Sequence, residues 1–361
     1  KNRGGAIWLS GTPCMVFDCV FADPPPGALA PITLNGNTRG ILSQNRVVGN
    51  DTPAWPKNAI FLPAGKRAGL LSSADQRFLK SVVRIPGKVF DAKRDFGAKA
   101  DPYKVDDTEA IQRTIDAARA HGQGAIAYLP AGTYGISKPL RVTGSDYVLG
   151  GAGIMTSKLA WRGPKDQPAL AIEAPDHITV ENLDVRNHDK GDGGPDILVT
   201  SGTTPAPFLT LDGVWVSKNN DELTPGGLLC RGLGQGATVL LPLCCGNMRF
   251  NDCARATILA GASYYGMLVV DGKAQPRDGL LGIQSRFSGG VHNVMVRDNQ
   301  SLVMSDYYSE SSGTIFHFEG SPDDPPGRVT VQGARLHLDP KKMKNVLETR
   351  NYAGQIAIGP D

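Results

Sequence analysis

The chain has 361 residues, with 38 Lys or Arg against 35 Asp or Glu, for a formal net charge of +3. This near balance, without a long basic run interleaved with aromatics, excludes nucleic acid as the expected partner; no apolar run reaches the roughly 20 residues that span a bilayer. Gly 44, Pro 26, 20% charged and 7% aromatic residues speak against a helical bundle or a disordered chain and for a turn-rich all-β fold.

At the start, "GGAIWLSGTPCMVFDCVFAD" and "APITLNGNTRGILSQNRVVGN" set short apolar strands between polar corners. Residues 52–88, with Pro53, Pro56, Pro63 and Gly65, read as a linker. The six cysteines, Cys14, Cys19, Cys230, Cys244, Cys245 and Cys253, lack zinc-site spacing. They read as packed thiols, with Cys14–Cys19 and Cys244–Cys253 disulfides as the alternative.

In "DFGAKADPYKVDDTEAIQRTIDAA" (Asp95 to Ala118) a helix is predicted over 107–121. Asp107 or Thr108 is the N-cap and Glu109 lies in the first turn. Ala110, Ile111, Ile115 and Ala118 share one face, and Gly122 is the stop. "GAIAYLPAGTYGIS" then predicts a strand, a turn and another strand.

Downstream, "HITVENLDVRN", "PFLTLDGVWVSK" and "RVTVQGARLHL" repeat one pattern: alternating apolar residues, a corner at Asn182, Gly213 or Gly333, then alternation again. A corner repeated once per coil predicts a right-handed parallel β-helix. Its end needs cover against edge pairing, and the helix over 107–121 supplies it.

The segment "FDAKRDFGAKADPYKVDDTEAIQRTIDAA…GAIAYLPAGTYGIS" closely resembles the N-terminal signature of the pectate-lyase-like superfamily of right-handed β-helices, "dfGAkgDG…DDTxAIqxAI" followed by "vxxPxGtY". The resemblance implies a β-helix domain over 89–361. With a cap so far into the chain, residues 1–51 read as the closing coils of an earlier, incomplete β-helix and 52–88 as the crossover. Lys1 is then expected to be internal to a longer precursor. Two consecutive stacks resemble the tandem β-helix exo-β-1,3-glucanases of the laminarinase type. That likeness implies a secreted or cell-surface glycoside hydrolase with a polysaccharide partner.

Glycoside cleavage uses two carboxyl groups flanking the bond, and "VMSDYYSESSGTIFHFEG" gathers Asp306, Tyr307, Tyr308, Glu310, His317 and Glu319. Strand periodicity puts Asp306, Tyr308 and Glu310 on one face and Tyr307 and Ser309 on the other. "SESSGTIFHF" loosely resembles the "SEHHVLYQY" stretch of the laminarinase-type family, which implies Glu310 as general acid; Asp306, on the same face, is the candidate second carboxylate. The family's "HH" is "SS" here, a departure in the substrate contacts. Trp215, Tyr264, Tyr265, Tyr308 and His317 are the expected sugar-binding residues.

No metal or cofactor is expected. The acidic loop Asn187–Asp196 lacks the D-x-D-x-D-G register of a Ca²⁺ site, and "LGGAGIM" follows no βαβ unit. The NTD, DD, GHG and RIK motifs of polygalacturonases are not assembled, and no Arg–Asp cluster stands out among Arg277, Asp278, Arg286, Arg297 and Asp298. Two further readings stay open: a non-catalytic cell-surface, sheath or tail-fibre β-helix, and a lyase acting on uronate polymers.

Overall fold

The computed structural model describes residues 88–361 apart from 187–193, 203–205, 218–226, 254–255, 265, 274–280, 289–291 and 360–361; of the first 87 residues it describes 7–9, 14–17, 19–21, 31–35, 38–43, 45–47, 55–57 and 59–62. The chain divides into two units, Lys1–Val83 and Arg84–Asp361.

In the first unit three strands pair in parallel with ones 25 or 26 residues later. Ile7–Leu9 lies beside Ile32–Leu34, Cys14–Phe17 beside Gly40–Ser43, and Val20–Phe21 beside Arg46–Val47. Val16, Phe21, Ile32, Leu34 and Leu42 form its core. Asn45 stitches neighbouring turns, donating from Nδ2 to the Val16 carbonyl at 2.8 Å and accepting the Cys19 N–H at 3.0 Å. Ala59–Leu62, inside the expected linker, is a further strand: "AIFL" pairs with Gly40–Ser43, setting Ile60 opposite Ile41.

The second unit opens with the strand Val89–Asp91 and the helix Thr108–His121, whose buried face is Thr108, Ile111, Thr114, Ile115 and Ala118. The two aspartates before the helix divide the work. Asp107 is the N-cap, one of the two residues expected there, its carbonyl accepting the Ile111 N–H at 3.0 Å. The side-chain bonds to the first turn come from Asp106, which accepts the Thr108 N–H at 3.0 Å and the Thr108 hydroxyl at 2.5 Å. The Asp107 carboxylate, on a residue 1% exposed, points back instead and holds the preceding loop, accepting the N–H groups of Lys99 and Ala100 at 2.7 and 2.9 Å. Ala100 has φ 54° there, and a Cβ on Gly132 (φ 150°) would lie 2.6 Å from the Ala100 Cβ. The "FGAKA" and "PAGTY" segments therefore meet face to face, and only glycine fits at 132.

Beyond the helix the chain winds through three parallel sheets. Residues 125–129, 147–151, 176–181, 208–211 and 238–241 stack in the first. The second takes 132–136, 157–161, 184, 214–215 and 244–245. The third takes 140–143, 170–173, 197–200, 228–231, 248–251, 268–271 and 294–296. Asn182, Gly213 and Gly333 have φ of 55°, 64° and 64°, so the three corners expected from sequence adopt the left-handed conformation. That conformation slips the alternation by one: Leu209 and Leu211 are buried, then Val214 and Val216.

The same slip occurs in Leu302–Glu319, where Leu302 and Met304 are buried, then Tyr307 and Ser309. This long strand turns through all three sheets, pairing at 302–305 with 329–332, at 308–311 with 335–338 and at 314–319 with residues up to Arg350. Inward rows such as Cys230, Phe250, Val270, Val296 and Phe318 stack coil on coil into one core. Each such side chain contributes about 1.5–3 kcal/mol of burial. Cys244 and Cys253 are free thiols, so the Cys244–Cys253 disulfide does not form, while the Cys14 side chain lies outside the described residues. Among the described residues no helix is long and apolar enough to cross a membrane.

Candidate functional site

The second sheet carries a row of residues running along the solenoid axis. Asp184 is opposite Trp215, and Trp215 opposite Cys245. Leu243 pairs with Ala262, and Tyr264 pairs with Ser288 on the following coil. Arg286 pairs with Tyr308, and Glu310 is opposite His337. Trp215, Tyr264 and Glu310 therefore lie on one run of paired strands, each two coils beyond the last. Tyr308 stands two residues before Glu310, half-buried, while Tyr307 and Ser309 are 0% exposed, as the alternation predicted. Tyr265 and the side chains of Tyr264, Asp306 and Glu310 lie outside the described residues.

His317, on the same strand as Glu310, is carried around the next corner onto the third sheet. It is buried there, with Nε2 3.2 Å from Glu319 Oε2 and Nδ1 3.8 Å from Glu348 Oε2. Arg297, one coil earlier, reaches Glu319 at 2.7 Å. Burial pushes the Glu319 carboxyl up, but the His317 hydrogen bond and the Arg297 charge outweigh it and hold the group below the usual carboxylate range. The structure thus separates His317 from the row containing Glu310.

Two arrangements escaped the sequence reading. At the Trp215 end of the row, Arg186 lies 4.1 Å over the indole ring and makes a two-pronged contact with Asp184, Nε to Oδ1 at 2.9 Å and Nη2 to Oδ2 at 2.6 Å. The Asp184 side chain is 1% exposed. The signal was present in "LDVRN", where Asp184 and Arg186 alternate with the buried Leu183 and Val185. On the first sheet, Glu181 is opposite Asp212 on the next coil. Burial, and secondarily the Asp212 charge, raise the Glu181 carboxyl above its ordinary range. That pairing is a matter of inter-coil register, which no local pattern announces.

Residues 90–163 match the family described as rhamnogalacturonase A/epimerase, pectate lyase-like. Alginate lyase 7 of Azotobacter vinelandii is 48% identical over 66 residues, which are 18% of this chain and 7% of that protein, so the chain spans a small part of that relative. Among solved structures, ORF18 of Geobacillus virus E2 is 13% identical with a TM-score of 0.46, covering 98% of this chain and 74% of that one. Pectin methylesterase PemA of Erwinia chrysanthemi is 12% identical with a TM-score of 0.40, covering 73% and 94%. The second unit is a parallel β-solenoid, its coils continuing to Ile358, whose cap and first coils match the pectate-lyase-like family.

Proposed function

We propose that the second unit is a secreted glycoside hydrolase that holds a β-1,3-glucan-type polysaccharide along its second sheet, with Glu310 as general acid. The observation that carries this reading is that Trp215, Tyr264 and Glu310 lie on one run of paired strands, each two coils beyond the last. A glycan laid along the axis meets two aromatic positions and then a carboxylic acid. Glu310 gives its proton to the glycosidic oxygen as the bond to the anomeric carbon lengthens. Asp306, as carboxylate, assists the water that attacks that carbon. Four extended residues span about 13 Å. An inverting pair stands about 6.5–9.5 Å apart, so this reading requires the chain to bend between the two carboxylates.

The identity to alginate lyase 7 supports a second reading, β-elimination on a uronate polymer. One assay separates the two: incubation with laminarin, alginate and polygalacturonate, reading both reducing ends and unsaturated products. The hydrolase reading expects reducing ends from laminarin without unsaturation, and Glu310→Gln abolishing them with melting unchanged. Undiminished turnover by that variant would remove Glu310 from the chemistry.

A further inference from the structure

We infer that Arg186, held by Asp184 on Trp215, is a sugar-binding residue of the row and selects an uncharged sugar at that end. The inference rests on the proposed function above, whose substrate it narrows. Asp184 is opposite Trp215 in register, and Arg186 is the next outward position on the Asp184 strand. The guanidinium has little freedom, with the indole on one face and Asp184 bound in two places, so its orientation is set before a ligand arrives. Nε and Nη2 are spent on Asp184; Nη1 has no hydrogen-bond partner among the described residues, and the side chain is 26% exposed. A rigid N–H edge beside a half-buried indole offers a sugar ring both a donor for its hydroxyl oxygens and an apolar surface for its C–H face.

The local charge decides the class of sugar. Arg186 faces two buried carboxylates, Asp184 and Asp196, the second accepting the Ser217 N–H at 2.5 Å. Lys158, opposite Asp184 on the preceding coil, brings the sum of the four groups to zero. A uronate carboxylate or a sulfate entering here would sit near two buried carboxylates, Asp184 and Asp196, with the Arg186 charge already engaged by Asp184. A hydroxyl oxygen carries no such penalty.

The test is affinity electrophoresis in gels containing laminarin, alginate or polygalacturonate, done in the Glu310→Gln background so that binding is read without turnover. The parent is expected to be retarded by laminarin and not by the uronate polymers. Arg186→Gln and Arg186→Lys should each weaken laminarin binding about tenfold, the loss of one charge-assisted hydrogen bond. Asp184→Asn should bring on salt-sensitive uronate binding by freeing the positive charge. Thermal melting of each variant separates a binding loss from a folding loss, and Arg186→Lys keeps the cation over the ring. Laminarin binding unchanged in both Arg186 variants, or uronate polymers bound by the parent as tightly as laminarin, would overturn the inference. If the Glu310→Gln protein still cleaves laminarin, the acid assignment fails while the binding result still answers for Arg186.

Discussion

Replacing Asp107 by Ala removes the acceptor that ties the "FGAKA" loop to the start of the helix. The carboxylate accepts two backbone N–H groups, from Lys99 at 2.7 Å and Ala100 at 2.9 Å, and is itself buried. A hydrogen bond to a charged group is worth about 1.5–3 kcal/mol, and a buried donor left alone costs a comparable amount. Lys99 is exposed, so water can replace its share, and the expected loss is about 3 kcal/mol, concentrated at Ala100 and its left-handed backbone. A stacked-coil protein need not unfold in one step, so global melting is a blunt readout. Hydrogen exchange at the amides of residues 97–100 reads the effect locally, and a 3 kcal/mol loss corresponds to a fall in protection of about a hundredfold. Asp107→Asn, which keeps one acceptor oxygen, should lose about half as much free energy. Asp106→Ala should instead loosen the first helical turn, where Asp106 accepts from Thr108 and Ser137. Unaltered protection at Lys99 and Ala100 in Asp107→Ala would refute the division of labour between the two aspartates.

Gly132→Val should destabilise the same junction by about 3 kcal/mol or more, since a Cβ there meets Ala100 at 2.6 Å and the backbone has φ 150°; urea titration followed by exchange at the cap would show it, and a wild-type midpoint would contradict it. Glu181→Gln should raise the melting temperature at pH 7 and leave it unchanged at pH 4. The folded-state pKa of Glu181 is raised, so its contribution is fully favourable below the unfolded value of about 4.3 and is lost as pH rises through the folded value; equal gains at both pH values would contradict the burial argument. Native alkylation with mass-spectrometric mapping should leave Cys230 and Cys253 unlabelled until the protein is denatured, because burial raises the Cys230 thiol and pushes that of Cys253 to about 12; early labelling of Cys230 would show that the core opens.

The local grammar of this protein was readable without coordinates. Helix spacing from Ala110 to Ala118, the stop at Gly122 and the left-handed corners at Asn182, Gly213 and Gly333 depend on a residue and its near neighbours. Backbone sterics and 3.6- or 2-residue periodicity therefore announce them. The N-cap at Asp107 was readable, but not that its carboxylate would leave the first turn to Asp106, because it is drawn to a loop several residues back. The fate of "SDYYSESSGTIFHFEG" shows the wider limit. As a string it places His317 seven residues from Glu310. The coil turns between them, so His317 joins Arg297 and Glu348 on one sheet while Glu310 pairs with His337 on another. Periodicity along a strand acts over one or two residues, whereas register between coils is set by backbone pairing across some twenty to thirty residues of intervening chain. Composition and pattern therefore determined that this chain forms a capped stack of coils; only the tertiary structure decided which side chains the stack brings into one row.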